Sequence, residues 1–242
     1  LLVPFCFGCI SSTMLQTEDD GPKEAPWSDR FIDPVTAPLT FESPAAQTNV
    51  RPIFIHHKTP HSSILKDGHL TGVAVQVRAA LTDRFALIAT KDGRFKLGPG
   101  RGSPIGSATG YADVAGGFKY VIYDNPEENT IISGGLIYEG TNGDKDILQG
   151  NGDGMWRPFV SGAWGDEDVN VVASVGANLP EDGDKESSSV DYHLHLSPAG
   201  DDPFVPLAEI NGIRYINNGR TLAADFEGAD YANLGSNNVD GN

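Results

Sequence analysis

The feature that most constrains this chain is a repeated alternation of apolar and polar residues with a period of two. In one clear case Val73 and Val75 fall on one face and Gln76 falls on the other. Successive side chains of a β-strand point to opposite faces, whereas a helix repeats every 3.6 residues. The alternation therefore predicts strands that each carry one apolar and one polar face.

Nine runs of this kind follow one another along the chain. Between the fourth and fifth runs, Asp124, Asn125 and Pro126 supply turn chemistry, because Asp and Asn tolerate unusual backbone angles and Pro fixes one. The chain is therefore predicted to be all-β, with neighbouring strands antiparallel. The nine predicted strands are residues 50–58, 70–80, 84–91, 112–123, 129–140, 156–164, 169–178, 189–196 and 204–215.

The connections between these strands alternate between short and long. The short ones are residues 81–83, 124–128, 165–168 and 197–202, and the long ones are 59–69, 92–111, 141–155 and 179–188. An up-and-down meander with tight turns at one end and long loops at the other is typical of an outer-membrane β-barrel. A soluble β-sandwich also alternates apolar and polar residues, but its packing does not force the long loops to one end. The pattern favours the barrel, and the sandwich is the alternative.

Composition restricts the class of partner. The chain has 17 Lys and Arg against 33 Asp and Glu, a formal net charge of -16. Such a surface repels phosphate, so nucleic-acid binding is disfavoured. The sequence contains no run near the roughly 18 apolar residues of a membrane-spanning helix. Barrel strands need only about 10 alternating residues each, so the absence of such a run does not exclude a β-barrel in a bilayer.

The first fifteen residues are predicted to be the tail of a secretory signal peptide without its start, because an apolar run from Leu1 to Ile10 precedes small and polar residues. A buried N-terminal strand is the alternative. The two cysteines, Cys6 and Cys9, provide neither a disulfide framework nor a zinc-ligand set. The Phe-Gly-Cys sequence ending at Cys9 weakly resembles a lipoprotein cleavage site, which leaves lipidation of Cys9 open.

Residues 16–49 are polar and rich in proline. Proline removes the N–H donors that a sheet needs, so this segment is predicted to be extended and irregular. Trp27, Phe31 and Phe41 could pack it against the body of the protein. Another set of aromatic residues is predicted near strand ends, as interfacial girdles of a barrel or as core residues of a soluble sheet. This set is Tyr120, Tyr123, Tyr138, Trp156 and Trp164.

Several stretches resemble one known family. They are PIFIHHKTP (52–60), VQVRAALTDRFALIATKDG (75–93), YADVAGGFKY (111–120), LQGNGDG (148–154) and YANLGSNNVDGN (231–242). They resemble bacterial outer-membrane β-barrels labelled as transporters of a phenol-degradation pathway (MetA-type), especially planctomycete-like members. The resemblance implies about twelve antiparallel strands in the outer membrane of a Gram-negative cell. It also implies passive movement of small molecules, hydrophobic or aromatic ones among them.

With nine strands and no initiating Met, the resemblance implies a chain truncated at both ends. Residues 50–242 are expected to form the barrel domain without its last strands. In a barrel the polar strand faces point into the lumen. The predicted lumen-facing side chains are Gln76, Arg78, Asp113, Lys119, Glu139, Asp191, His193 and His195.

Two of these groups have a possible special role. Lys119 and Glu139 lie on the polar faces of neighbouring strands, which predicts a cross-strand ion pair. Asp191, His193 and His195 share a face and could bind a metal, but no further ligand is placed beside them. A polar row facing the lumen is the favoured interpretation, and no cofactor is predicted.

The loop after the fifth strand carries oxygen ligands that suit calcium, but its spacing differs from an EF-hand, and a solvated turn is favoured. The calcium candidates are Asp144, Asp146, Asn151 and Asp153. In the sandwich alternative these loops would be the binding site. The sequence contains no Gly-x-Ser-x-Gly elbow, phosphate-binding loop or dinucleotide fingerprint, so no enzyme is predicted. A hydrolase that uses His193 and a serine is a further alternative.

Overall fold

The computed structural model describes residues 26–61, 65–150, 152–183, 186–200 and 205–217. The expectations for residues 1–15, including Cys6 and Cys9, and for residues 231–242 concern parts of the chain outside these ranges. The regular elements are two short 3-10 helices, η1 (Trp27–Arg30) and η2 (Lys145–Ile147), and eleven strands. The strands are β1 (Asn49–Lys58), β2 (His69–Ala80), β3 (Phe85–Lys91), β4 (Gly93–Gly98), β5 (Ala108–Tyr111), β6 (Ala115–Asn125), β7 (Thr130–Glu139), β8 (Met155–Gly165), β9 (Val169–Pro180), β10 (Ser188–Pro198) and β11 (Ala208–Asn217).

Among the described residues, no helix has the length and apolar character needed to cross a membrane.

The strands form one antiparallel sheet in the order β11-β10-β9-β8-β7-β6-β3-β2-β4-β5, and β1 pairs with the other edge of β2. β3 and β4 are separated only by Asp92, and both pair with β2. In the next row, β5 pairs with β4 and β6 pairs with β3. The sheet therefore has nine rows of strand in chain order. The prediction of an all-β antiparallel meander is confirmed, and the single sheet is not the pair of sheets that a sandwich requires.

Two predicted boundaries were wrong. The link at residues 92–111 was expected to be a loop, but it contains the β4–β5 hairpin, in which Phe95 and Leu97 are buried. Two apolar residues before the glycine- and proline-rich turn were too short a signal for a strand. The last strand was expected to begin at residue 204 and end at 215, whereas β11 begins at Ala208 and ends at Asn217.

The sheet is rolled up around residues 26–48, which we refer to as the inner segment. Arg51 of β1 donates to the carboxylate of Asp33 at 2.5 Å. Glu209 of β11 accepts from the backbone N–H groups of Val35 at 2.8 Å and Thr36 at 2.7 Å. Four extended residues span at most about 14 Å. Because β1 and β11 lie at opposite ends of the sheet, they can reach the same four residues only if the sheet curls back on itself.

The apolar packing inside the roll is small and divided. Phe31 and Phe41 of the inner segment pack with Val121 and Val172 of the wall. A second cluster lies at the end that carries the long loops, where Leu65 is buried among residues of β1, β2, β4 and β5. The remaining interior is mostly polar, and it contains the candidate site.

Candidate functional site in the sheet interior

The two faces of the sheet are inverted with respect to a water-soluble protein. On β2, Val75 is 39% exposed and Val73 is 56% exposed, whereas Gln76 and Arg78 are 0% and 3% exposed. Apolar groups normally leave water and charged groups normally stay in it. The same inversion recurs around the sheet. The outward apolar residues include Val50, Phe54, Val77, Leu87, Phe118, Ile122, Ile132, Val160, Val175, Tyr192, Leu196 and Ile210.

Aromatic residues stand at both ends of the outward face. Trp156 is the second residue of β8 and contacts Tyr138 of β7 with ring centroids 4.6 Å apart, and Trp164 lies near the other end of β8. At about 3.4 Å per residue, the two tryptophans are about 27 Å apart along the strand. Tyr120 is exposed in the middle of β6, so it does not belong to either end. Four of the five predicted aromatics are exposed, which contradicts the soluble-core alternative for them.

The centre of the interior is a carboxylate of the inner segment. Glu42 is 1% exposed and accepts from Arg78 Nη2 at 2.5 Å and from Arg78 Nε at 3.0 Å. Lys119 Nζ lies 3.5 Å from the same carboxylate and donates to the carbonyl of Ser43 at 2.6 Å. Burial alone would raise the pKa of Glu42, but the charges of Arg78 and Lys119 outweigh it and lower that pKa to about 2.

A second polar group joins β8 and β10 to the inner segment. Arg157 Nη2 donates to Asp191 at 2.5 Å and to the carbonyl of Thr40 at 2.6 Å. His193 Nε2 lies 2.8 Å from the same carboxylate, and its ring stacks on Phe41 with centroids 5.0 Å apart. The wall thus holds the inner segment through backbone carbonyl contacts as well as through ring stacking.

Further side-chain pairs lie on the inward face. His195 Nδ1 lies 2.8 Å from Glu209, the residue that also binds the inner segment. Lys91 of β3 pairs with Glu139 of β7. Gln76 donates to the backbone carbonyl of Thr90 at 2.9 Å. Each of these side chains lies on a polar strand face.

The predicted ion pair between Lys119 and Glu139 was wrong. In the β6–β7 register, Lys119 lies opposite Gly135, and Glu139 lies opposite Ala115. The two side chains are therefore four positions apart along the ladder, about 13 Å at the usual rise per residue. Each of them finds its partner on a different element.

Asp113 and one calcium candidate, Asp144, accept hydrogen bonds from backbone N–H groups. The Asp113 carboxylate accepts from the N–H groups of Gly143 at 2.6 Å and Gly150 at 2.8 Å, at the long-loop end of the sheet. Asp144 accepts from the N–H of Tyr111 at 2.7 Å. Within the described residues, no three His, Cys, Asp or Glu side chains are grouped to hold a metal ion. Asn151 lies outside these residues, and Asp146 and Asp153 are exposed.

The sequence analysis missed four residues of the site. Arg51 and Arg157 lie on the inward faces of β1 and β8, where the same alternation that identified Arg78 could have found them. Asp33 and Glu42 lie in the proline-rich segment, which has no periodicity to interpret. Their place in the interior depends on the fold of the whole sheet.

A small cavity of about 30 Å³, open to solvent, remains between the inner segment and the wall. Its lining includes Leu39, Thr40, Thr90, Lys91, Arg157 and Asn178. Arg157 Nε and Nη1 are buried there, and neither has a hydrogen-bond partner among the residues that the structure describes. The interior is thus largely filled by the chain itself, with a small space to one side of the inner segment.

No protein-family model matches the chain, and no curated protein sequence matches it. Among solved structures, the chain is similar to an outer membrane channel from Pseudomonas putida F1, with 19% sequence identity and a TM-score of 0.47. That similarity covers 76% of this chain and 77% of the channel. Membership of the transporter family that the sequence resembles stays a prediction.

Proposed function

We propose that this protein is an outer-membrane β-barrel through which small molecules pass without an energy source, and that its inner segment occupies the lumen in the conformation described. One observation carries the proposal: the rolled sheet turns its apolar side chains outward and its charged side chains inward. A polar interior and an apolar outer band are the defining pattern of a barrel in a bilayer.

The physical argument concerns the solvent of the outer face. Exposed apolar area costs roughly 25 cal/mol per Å² in water, and apolar patches larger than a few hundred Å² mark an interaction surface. The outward face here extends over most strands of the sheet. Lipid tails would remove this cost, while the ladder satisfies the backbone hydrogen bonds that hydrocarbon cannot satisfy. Lipid is therefore the partner that fits this face.

The solute follows less directly. The family resemblance implies hydrophobic or aromatic molecules, and that class stays a prediction. The described wall is lined instead by arginine, lysine, histidine and carboxylate side chains, which favours polar solutes. Loop carboxylates bonded to backbone N–H groups do not favour the alternative of a soluble calcium-binding protein.

The test is fractionation of a Gram-negative host that exports the full chain. We expect the protein in the detergent-extracted outer-membrane fraction, with lower gel mobility after boiling than before, because a closed barrel resists detergent until it is heated. Purified protein should then produce conductance steps in a planar bilayer. Recovery as a soluble monomer whose gel mobility boiling does not change would contradict the proposal.

A further inference from the structure

We propose that Arg78 and Lys119 form a carboxylate-binding site in the wall of the lumen, and that Glu42 occupies this site as an internal ligand. The inference deepens the proposed function, on which it rests only in taking the interior as the solute path. It assigns the solute class as small carboxylates.

The contact geometry is that of a built carboxylate receptor. Arg78 presents two N–H groups, from Nε and Nη2, to the two oxygens of Glu42 at 3.0 Å and 2.5 Å. This parallel pair of bonds is the arrangement in which guanidinium recognises a planar carboxylate. Lys119 is 0% exposed and adds a second positive charge. It lies on β6, which is separated from β2 by β3. Nothing in this geometry requires the carboxylate to belong to the chain.

The distribution of charge between wall and inner segment points the same way. Arg157 with Asp191, and Lys91 with Glu139, are ion pairs formed within the wall. By contrast, the carboxylate bound to Arg78 and Lys119 belongs to the inner segment. The same holds one strand away, where Arg51 binds Asp33. The inner segment therefore supplies the counter-charge of three buried wall cations.

Three buried cations cannot lose their counter-ions without cost. Breaking a buried ion pair by removing one partner is strongly destabilising, because the remaining charge is left in a poorly solvating site. Whenever the inner segment leaves, an anion entering from solution would replace its carboxylates. Rings of arginine and lysine side chains select anions in pores for this reason. The wall thus acts as a binding site for the solute as well as for the segment.

The attachment of the inner segment makes such an exchange feasible. Its 23 residues, 26–48, belong to none of the described strands, and the first strand begins at Asn49. It is held by side-chain contacts such as those from Arg157 to Thr40 and from Lys119 to Ser43. These contacts can be exchanged without breaking a backbone ladder, whereas removing a strand would break one.

The test is chemical rescue of Glu42→Ala in the detergent-solubilised full chain. We expect a lower melting temperature than that of the unmodified chain, and we expect propionate to raise it, since propionate restores the missing carboxylate. Propionamide has nearly the same shape without the charge, so it should have no effect. The matched control is Glu127→Ala, because Glu127 is an exposed turn residue, and propionate should not change its melting temperature. Equal effects of propionate and propionamide on Glu42→Ala would overturn the inference.

Glu42→Gln keeps the volume of the side chain, and it is the variant to use if Glu42→Ala does not fold. In a planar bilayer with a salt gradient, its reversal potential should shift toward anion selectivity relative to the unmodified chain. Adding Lys119→Met to it should reverse that shift. An unchanged reversal potential in Glu42→Gln would overturn the site.

The two proposals fail in different ways. Rescue by propionate without any conductance would support the carboxylate site and contradict the channel. Conductance without rescue and without a change in selectivity would support the channel and contradict the site.

Discussion

At the scale of single residues, Glu42 has the largest consequences because it ties the inner segment to the wall. It lies in a segment that belongs to no strand, yet it is buried and feels the positive charges of Arg78, Lys119 and Arg51. A carboxylate in such a place is stable only in its charged form, because its partners are cations. Its protonation should therefore loosen the inner segment.

The first prediction concerns pH. The pKa of Glu42 is about 2 in the folded protein and 4.5 ordinarily, so its stabilising contribution is full above pH 4.5 and is lost as pH falls toward 2. That difference corresponds to on the order of 3 kcal/mol. Glu42→Gln lacks this contribution at every pH. The gap between the melting temperatures of the unmodified chain and the variant should shrink between pH 4.5 and pH 2, and a constant gap would contradict the assignment.

The second prediction concerns Asp113. Removing its carboxylate by Asp113→Ala leaves the N–H groups of Gly143 and Gly150 without their acceptor, at a cost of about 1–3 kcal/mol. Limited proteolysis should cut residues 141–154 faster in this variant, with the strands intact. Asp146→Ala, at an exposed position in the same loop, is the control, and the protease should cut its loop at the same rate as in the unmodified chain.

At the scale of elements, each strand separates two environments by one residue. On β10, Asp191 and His195 are 0% exposed, while Tyr192 between them is 51% exposed. A shift of the register by one residue would exchange these faces completely. The alternation therefore fixes the register of each strand. The polarity of the outer face indicates whether that face is surrounded by lipid or by water.

The third prediction tests that solvent. Val75 lies near the middle of β2 on the outward face, and Val75→Arg would place a charge there. In a bilayer this costs about 2–4 kcal/mol at the midplane, so we expect less protein in the outer membrane and a lower temperature for the gel-mobility change. Asp83→Arg, in the exposed turn after β2, should have little effect. If the outer face met water, Val75→Arg would be equally harmless.

At the scale of the whole molecule, the inner segment fills the interior and also links the two ends of the sheet. Asp33 binds Arg51 of β1, and Val35 and Thr36 bind Glu209 of β11. Within the described residues, β1 pairs only with β2, and β11 pairs only with β10. Loss of the segment should therefore affect both the openness of the interior and the closure of the roll.

The fourth prediction concerns occlusion by the segment. Glu42→Lys places a third cation against Arg78 and Lys119, so repulsion should drive the inner segment out of the lumen. In planar bilayers we expect a severalfold higher open probability than for the unmodified chain. Glu127→Lys changes the net charge equally from an exposed turn and should leave the open probability unchanged. Equal conductance of all three proteins would mean that the segment does not control the path.

The sequence by itself determined the strands, their two faces and the alternation of short and long connections. These are local properties, because the period of two is set by the geometry of each strand. Gln76, Arg78, Lys119, Asp191, His193 and His195 could be placed on polar faces in this way. The β4–β5 hairpin was not predicted, because its alternation is short and its turn is rich in glycine and proline.

Only the tertiary structure decided what those polar faces touch. Lys119 binds Glu42 from 77 residues away, and Thr36 binds Glu209 from 173 residues away. No local pattern encodes such pairs, because they form only after the sheet has curled around a segment that has no periodicity of its own. The sequence set the polarity of each strand face. The curvature of the sheet then enclosed the polar faces and brought carboxylates of the inner segment into contact with them.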